Sequence, residues 1–415
     1  MRSALRVLYA TAESHPTHRP DVRVLFGEVL PRRGVRVDLV ATAAPQPDGR
    51  IPDWPGGAAF LRGGGSRRRT LVADVLQQLR LFRLCRDGYD MLVVRDKPVL
   101  GLIGYAAARC AGVPFCYWMS YPLPEHFLWL SRQTGSDVGR LRRAWLGLRG
   151  LLGRASLARV LVPRADWLFV QSDAMACRLR AGPLKHARVT VVPMGVDVDA
   201  VPPPAPELPA ALEGCRLAVY LGTLDRARDP QLLVDVALRI GQRMPAFRML
   251  IIGEAEERSD HGWLQRYAIS VGAMPYVHFT GRLPPREALA LARRAEVGVS
   301  PVPRTALTEV GSPTKAVEYL ACGLPVVCND QPDQAYVVRA SGGGLVAPLD
   351  ADGFARAILS LLADPVAARA HARAGQAWVR RHRGYDVLGE RVAMQLAALR
   401  ADGPPSGATQ LGARG

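Results

Sequence analysis

One acidic residue, Glu318, lies in a short segment whose residue types predict a helix that can bind an anion. The segment, residues 311–327, reads GSPTKAVEYLACGLPVV. Ser312 predicts an N-cap, because its hydroxyl can accept a hydrogen bond from an unpaired backbone N–H, and Pro313 fits the first helical position. Gly323 and the proline two residues later predict the helix end. The unpaired N–H groups at the N-terminus of such a helix favour a negatively charged ligand.

This segment resembles the donor-site signature of the retaining GT-B glycosyltransferases, in particular glycosyltransferase family four. In that family a glutamate of this helix accepts hydrogen bonds from the nucleotide ribose, and Glu318 matches it. The family usually has a second acid eight positions earlier, which contacts the donor sugar, but here Val310 takes that position and Glu309 is the nearest acid. The resemblance implies a donor site that includes Glu309, Gly311, Ser312, Pro313 and Thr314.

A second motif, residues 220–229, follows the first predicted strand of the second half of the chain. Ligands bind at the carboxyl edge of doubly wound sheets, which is where Gly222 would lie. Family members place Arg after this Gly and Lys five positions later, both at the donor phosphates. Thr223 and Arg228 take these positions, with Arg226 between them. Arginine suits a diphosphate because its planar guanidinium donates two parallel hydrogen bonds, although solvated surface arginines are the alternative.

Lys315 falls in the first turn of the predicted helix, where a cation opposes the helix dipole at a cost of about 0.3–1 kcal/mol. A bound anion would offset that cost, and a solvated lysine is the alternative. We predict Arg228, Lys315 and Glu318 as the catalytic group, stabilising the charge that develops on the leaving diphosphate. Gly281 and Arg282 end another predicted strand and are candidates for contacts with the donor.

The acceptor side gives weaker signals. Tyr121 and Glu125 follow the predicted strand 115–119, Asp96 follows the strand 91–94, and Glu13 and His15 follow the first strand. Many family members have His or Asp near the position of Tyr121. We predict these five residues as acceptor-side candidates, although a single His or Glu in a loop is more often simply solvated.

Composition limits the classes of partner. The 415-residue chain carries a net charge of +17, but only three of its 54 basic residues are lysines. It lacks the basic and aromatic interleaving of single-strand binding surfaces and any zinc-finger or RNP-type signature, so nucleic acid is not expected as a partner. The resemblance implies that no metal and no cofactor are needed, and Asp197 and Asp199, which have Asp-x-Asp spacing, fall in the interdomain junction.

The cysteines and apolar runs indicate the compartment. Seven dispersed cysteines without a CxxC pair predict reduced thiols and a cytoplasmic protein. The N-terminal apolar run is too short for a signal peptide and fits a first strand, and no run is long enough to cross a membrane. The expected location is cytoplasmic, or peripheral on the inner face of the cell membrane.

A basic amphipathic helix is predicted over Arg140–Arg154. Leu141, Trp145, Leu148 and Leu152 share one face and arginines occupy most of the other. Such a helix can lie on an anionic membrane. The alternative is an ordinary surface helix whose apolar face packs on the core.

Alternating apolar runs and helical patterns predict parallel sheets built from βαβ units. With the resemblance, they imply an α/β GT-B fold: two Rossmann-like doubly wound domains facing a central cleft. We predict an acceptor-binding domain over 1–200, a proline-rich linker over 201–213 and a donor-binding domain over 214–383. A helix over 384–400 would return to the first domain, and 401–415 would form a disordered tail.

The resemblance implies transfer of a sugar from a nucleotide diphosphate sugar, with retention of anomeric configuration, to a lipid-linked, polysaccharide or glycoconjugate acceptor. Two enzyme alternatives on the same fold are a sugar-nucleotide epimerase and a phosphorylase. A third alternative is a non-catalytic GT-B subunit that binds a partner transferase or a glycan.

Overall fold

The computed structural model describes residues 4–17, 19–44, 50–62, 78–132, 139–181, 188–256 and 260–401. The chain forms two compact units. Unit 1 contains the residues up to Pro193 and the segment that begins at Tyr385, and unit 2 runs from Met194 to Gly384. The disordered tail expected from the sequence lies outside the described residues from 402 onward, as does the first part of a helix predicted over 71–86.

The sheet of unit 1 has seven parallel strands in the order β3-β2-β1-β4-β5-β6-β7. The strands are β1 (Leu5–His15), β2 (Val35–Ala43), β3 (Ala59–Arg62), β4 (Met91–Arg95), β5 (Phe115–Met119), β6 (Trp167–Val170) and β7 (Val189–Val191). The central strands β4 and β5 are buried along their whole length, as expected for a parallel sheet covered on both faces.

The helices of unit 1 are α1 (Asp21–Val29), α2 (Pro98–Ala111), α3 (Leu123–Arg132), α4 (Arg140–Ser156) and α5 (Asp173–Ala181), with α13 (Tyr385–Ala401) from the end of the chain. α1 winds as a π-helix and continues into a short α-helical turn. One core cluster joins β1 to α1 and α13, and Leu388 and Val392 of α13 lie in it with Val7 and Phe26.

The sheet of unit 2 has six parallel strands in the order β10-β9-β8-β11-β12-β13. These are β8 (Arg216–Leu221), β9 (Phe247–Ile252), β10 (Val277–Gly281), β11 (Val297–Ser300), β12 (Val326–Cys328) and β13 (Gly344–Val346). The helices are α6 (Gln231–Gly241), α7 (Trp263–Ser270), α8 (Pro285–Ala292), α9 (Thr314–Ala321), α10 (Pro332–Ser341), α11 (Ala351–Ala363) and α12 (Pro365–His382).

Both sheets reverse their strand order beside the first strand of the unit, which is the doubly wound Rossmann arrangement. The prediction of two Rossmann-like α/β domains is therefore confirmed. The proline-rich segment 201–213 lies within unit 2, where Val201, Ala205 and Leu208 pack on the core beside α8. The chain leaves unit 1 earlier, between Pro193 and Met194.

Candidate active site

The candidate donor site of unit 2 lies where the strand order of its sheet reverses. β8 has β9 on one side and β11 on the other. In doubly wound sheets, the carboxyl ends of the strands form a ligand crevice at this point. Gly222 follows β8, and residues 301–313 connect β11 to α9. Both donor motifs of the sequence therefore reach the same edge of the sheet.

Lys315 extends from the first turn of α9 to the end of β8. A Cβ atom built on Gly222 would lie 2.6 Å from Lys315 Cε and 3.0 Å from its Nζ, so the absence of a side chain leaves room for the lysine. The Lys315 ammonium lies 5.2 Å from the centroid of the Tyr220 ring, which is the distance of a cation–π contact. The structure thus brings Gly222 and Lys315 together.

The next helical turn is fixed to the sheet by Tyr319. Its fully buried ring packs on Gly298 of β11, where a Cβ atom would lie 2.4 Å from the ring, and its hydroxyl accepts a hydrogen bond from Leu221 N at 2.7 Å. A closely packed aromatic ring with a satisfied hydroxyl leaves little freedom for the helix. Glu318, the neighbouring residue, is therefore held at a defined place.

Glu318 is only part-buried, yet its surroundings favour the neutral form. Burial raises the pKa of the Glu318 carboxyl, while the nearby Lys315 ammonium and a hydrogen bond with Thr314 act in the lowering direction. Desolvation of a carboxylate disfavours its charge unless donors reach its oxygens. Ligand hydroxyls that donate to this carboxylate would provide such donors.

Ser312 does not cap α9, so the predicted capping role is wrong. The helix begins at Thr314 with Pro313 at the N-cap position and without a side-chain cap. The Ser312 hydroxyl instead donates to Asp333 Oδ2 at 2.6 Å and accepts from Met194 N at 2.9 Å. Arg383 donates to both oxygens of Asp333, at 2.7 and 3.2 Å. Because these partners occupy the hydroxyl, the first N–H groups of α9 stay available.

Gln331, the N-cap residue of α10, also fixes the loop before α9. The Gln331 amide donates to the carbonyl oxygens of Thr308 at 2.8 Å and Gly311 at 3.0 Å, and its oxygen caps α10. Our sequence analysis missed Gln331, Asp333 and Arg383. A signal was present, because the run 329–334, NDQPDQ, places polar residues and a proline directly after a buried strand, which is typical of a capped helix start.

Glu309, the acid nearest the position of the missing family acid, is engaged elsewhere. Its carboxylate accepts from Arg304 at 2.8 Å, and Arg304 also pairs with Asp330 at 2.7 Å. Val310 itself is buried. Glu309 therefore belongs to a surface ion-pair network of its loop.

The two arginines of the Gly222 motif differ in their surroundings. The Arg226 guanidinium pairs with Asp260 at 3.1 Å and stacks over the Trp263 ring at 4.5 Å. Arg228 is exposed, and its side chain makes no hydrogen bond or ion pair with any other residue that the structure describes. Arg228 is therefore the more accessible of the two, while Thr223 uses its carbonyl to accept from the Tyr220 hydroxyl.

A pocket lies at the ends of β9 and β10. It is lined by Gly253, Glu254, Asp260, Phe279 and Gly281, among others. A Cβ atom on Gly253 would lie 2.0 Å from the Gly222 carbonyl oxygen, so glycine is required for this close approach. Arg282, which follows Gly281, is exposed. The pocket is thus continuous along the sheet edge with the Gly222 loop.

In unit 1, Asp96 holds a loop in place. It has a φ of 58°, and its carboxylate accepts from Ser120 N at 2.6 Å, from Tyr121 N at 3.2 Å and from the Ser120 hydroxyl. Arg95, fully buried, adds an ion pair with Asp96 at 3.1 Å and another with Asp21 at 2.6 Å. Asp96 is therefore a positioning residue for the loop after β5.

The other acceptor-side candidates are dispersed. His15 is buried, with Nε2 2.8 Å from the Pro52 carbonyl oxygen, and Glu13 pairs with Arg19 at 3.3 Å. Glu125 lies in the first turn of α3. The Tyr121 hydroxyl lies 3.1 Å from Nδ1 of His126, a residue that our sequence analysis missed because it follows the strand end by seven positions. Burial lowers the pKa of His126.

Two family models match the chain. One, described as "Glycosyl transferases group 1", matches residues 215–364, and the other, "Glycosyltransferase Family 4", matches residues 24–200. Each match therefore lies mainly in one of the two units.

Curated relatives include two actinobacterial enzymes. A GDP-mannose-dependent monoacylated alpha-(1-6)-phosphatidylinositol monomannoside mannosyltransferase of Corynebacterium glutamicum is 26% identical over 268 residues, covering 62% of this chain and 67% of the relative. A D-inositol 3-phosphate glycosyltransferase of Mycobacteroides abscessus is 27% identical over 349 residues, covering 77% of this chain and 71% of the relative.

Solved structures resemble the chain over nearly its whole length. A sucrose-phosphate synthase from Thermosynechococcus elongatus matches with a TM-score of 0.72 and 20% identity, covering 96% of this chain and all of that one. Anabaena HepE, solved in complex with UDP-glucose, matches with a TM-score of 0.66 and 16% identity, covering 95% of this chain and all of that one. These likenesses show the GT-B fold.

Proposed function

This chain belongs to glycosyltransferase family four and is a glycosyltransferase that uses nucleotide-sugar donors, and we propose from this premise how its residues act. We propose that it transfers a sugar from a nucleotide diphosphate sugar, with retention of anomeric configuration, to a lipid-linked or glycan acceptor. The observation that carries the proposal is the placement of Lys315 against Gly222, one helical turn from Glu318, at the switch point of unit 2.

The donor occupies this edge of unit 2. Glu318 accepts hydrogen bonds from the ribose, while Lys315, Arg228 and the free N–H groups of α9 neutralise the diphosphate. Such preorganised positive groups stabilise charge that develops on the leaving group. Metal is not required in this scheme, because these groups supply the positive charge.

The acceptor is lipid-linked. Support comes from the Corynebacterium relative, whose name specifies a phosphatidylinositol monomannoside, whereas the name of the Mycobacteroides relative specifies an inositol phosphate, which is not a lipid. Arginines of α4 can attract an anionic membrane surface, where each is worth about 1 kcal/mol within a Debye length. No described helix is long and apolar enough to cross a membrane. We further propose that the enzyme works peripherally on the cytoplasmic face of the membrane.

A screen of nucleotide sugars by native mass spectrometry tests the proposal, followed by hydrolysis of the bound donor without acceptor. A transferase releases nucleoside diphosphate slowly, and Glu318→Gln abolishes this release. Tight binding without release would indicate a non-catalytic subunit, and conversion to an isomeric nucleotide sugar would indicate an epimerase. Absence of binding by any nucleotide sugar would contradict the donor assignment.

A further inference from the structure

Helix α4 turns its largest apolar side chains to the solvent. Leu141 is 88% exposed, Leu152 is 58% exposed, and Trp145, Leu148 and Leu151 are each about half exposed. At about 3.6 residues per turn, these five side chains form one stripe along the helix. A contiguous exposed apolar surface marks an interaction site.

The opposite side of α4 packs on the protein through glycines. A Cβ atom on Gly150 would lie 2.7 Å from Leu128 Cγ of α3, and one on Gly153 would lie 3.2 Å from Pro124. Both glycines are buried. The expectation of an ordinary helix with its leucine face in the core is therefore contradicted, because the glycine face takes that place.

Arginines border the stripe on both sides. At helical spacing, Arg142 and Arg149 flank one side, and Arg140 and Arg154 flank the other. All four are exposed, with the Arg149 guanidinium over the Phe127 ring at 4.2 Å. Between positions 126 and 164 the sequence contains eight arginines and one acidic residue, Asp137. The surface is thus apolar in the middle and positive at its margins.

We propose that α4 lies in the plane of an anionic lipid bilayer and inserts its leucine stripe among the acyl chains. An apolar face flanked by cations is the pattern of interfacial helices, whose apolar side is buried about 5–10 Å into the headgroup boundary. This deepens the proposed function and rests on it for the lipid-linked acceptor. The inserted stripe adds a salt-resistant component to the attraction by arginines.

A second copy of the chain fits this surface less well than an anionic bilayer does. A symmetric dimer through the stripe would place the flanking arginines of both copies against each other, and like charges oppose association. Anionic headgroups complement the same arginines. The charge pattern therefore selects the lipid surface as the occupant.

Helix α3 links this surface to the acceptor edge of unit 1. It starts after β5, close to the Tyr121–His126 pair, and carries Trp129, whose ring stacks on His126 at 6.1 Å. A ten-residue helix spans about 15 Å. Because Gly153 of α4 packs on Pro124 in the first turn of α3, the C-terminal half of α4 lies beside the end of α3 that follows β5.

Co-sedimentation with phosphatidylglycerol–phosphatidylcholine vesicles, at low and high ionic strength, tests the insertion. We expect wild-type protein to keep a bound fraction at high salt, and the variant Leu148→Gln/Leu152→Gln to lower the partition coefficient at least tenfold. The variant Arg140→Gln/Arg142→Gln should have a partition coefficient that is about fivefold lower for each arginine removed, at low salt only. The matched control, Ile269→Gln/Val366→Gln, removes two apolar residues of unit 2 that are at least as exposed as the two leucines, and it should bind as wild type.

Quenching by brominated lipids locates the stripe. The difference in quenching between wild type and Trp145→Phe reports the indole of Trp145, and insertion predicts strong quenching by bromines near the headgroup end of the acyl chain. Unchanged melting temperature and nucleotide affinity, measured without vesicles, show that each variant is folded.

Three outcomes would overturn the insertion. Complete release of wild type at high salt, with the leucine variant equal to wild type, would mean adsorption by arginines alone. If wild-type protein does not sediment with the vesicles at low salt, the helix does not bind the membrane. If wild-type protein forms a dimer that the leucine variant abolishes, the partner of the stripe is a second copy of the chain. If the wild-type protein does not bind any nucleotide sugar, the proposed function is contradicted, independently of the result of the vesicle experiment.

Discussion

Glu318 is the side chain on which the donor proposal depends most. We expect Glu318→Gln to weaken nucleoside diphosphate binding by roughly 10- to 100-fold, because each hydrogen bond to a charged acceptor contributes about 1.5–3 kcal/mol. Titration calorimetry measures this loss. Glu309→Gln, which alters an acid paired with Arg304, is the control and should bind as wild type. Normal binding by the Glu318 variant would refute the ribose contact.

The raised pKa of Glu318 gives a pH signature with opposite signs for binding and stability. Below the raised pKa the carboxyl is protonated, so affinity should fall as pH falls, and Glu318→Gln should lack this dependence. The folded state binds the Glu318 proton more tightly than the unfolded state does. Protonated Glu318 therefore contributes to the stability of the fold below pH 4.5, the ordinary pKa of the group, and this contribution is lost as the pH rises through the raised pKa of the folded state. Glu318→Gln should therefore raise the melting temperature at neutral pH, but not below pH 4.5.

Lys315 and Arg228 should contact the phosphates of the donor. We expect Lys315→Ala and Arg228→Ala to weaken diphosphate binding while leaving the affinity for the bare nucleoside unchanged, since charge-assisted contacts to the phosphates are lost. Arg226→Ala is the control with a smaller effect, because Asp260 and Trp263 engage that guanidinium. Equal losses for diphosphate and nucleoside would show that these residues do not contact phosphate.

Side-chain partners could not be predicted from the sequence, even where residue roles were suggested. Ser312 has the type and position of an N-cap, but its hydroxyl bonds to Asp333, 21 positions away. Arg226 follows a strand as a phosphate ligand would, yet its guanidinium pairs with Asp260, 34 positions away. Local sequence patterns indicate which residues can cap a helix or form a turn. They do not show which distant residues compete for the same hydrogen bonds, because those residues meet only in the folded structure.

Among the elements of unit 2, the buried pair Asp333–Arg383 links α10 to the end of α12, and Asp333 also accepts a hydrogen bond from Ser312 in the loop before α9. We expect Asp333→Ala to destabilise unit 2 by about 3–5 kcal/mol, because it leaves a buried guanidinium without its partner. Urea unfolding measures this change. Arg380→Ala removes an exposed pair with Asp199 and should cost less than about 1 kcal/mol.

The same pair should matter for binding as well as stability. The double variant Asp333→Leu/Arg383→Met removes both charges and should recover stability, since apolar replacements of a buried pair are tolerated. It should not recover nucleotide affinity, because Ser312 would still lack its acceptor. Full recovery of both would mean that the pair only stabilises the fold.

The elements predictable from sequence are those with strong local periodicity. β5 matches its predicted bounds, because a continuous apolar run flanked by turn residues identifies a buried strand. β3 and β13 were missed, since each is short and edge-located. The orientation of α4 could not be predicted, because leucine and glycine faces compete for the core and the glycines allow a closer approach.

At the scale of the whole molecule, α13 completes the core of unit 1, so the two units should respond separately to change. We expect Leu396→Ala to destabilise unit 1 by about 2–5 kcal/mol, as for other buried leucines. Nucleotide affinity should stay at the wild-type level, because the residues that we propose to bind the donor lie in unit 2. Denaturant unfolding with calorimetry measures both, and Met394→Ala, on the exposed side of the same helix, is the control. A parallel loss of nucleotide affinity would contradict this independence.

The position of α13 at the end of the chain also governs how the protein is made. The sheet of unit 1 leaves the ribosome by Pro193, but its covering helix emerges only after all of unit 2. At about 5–20 residues per second, the roughly 200 intervening residues take about 10–40 s to synthesise. During translation unit 2 can therefore fold before unit 1 is complete, while the nascent unit 1 keeps an open apolar face that chaperones can shield.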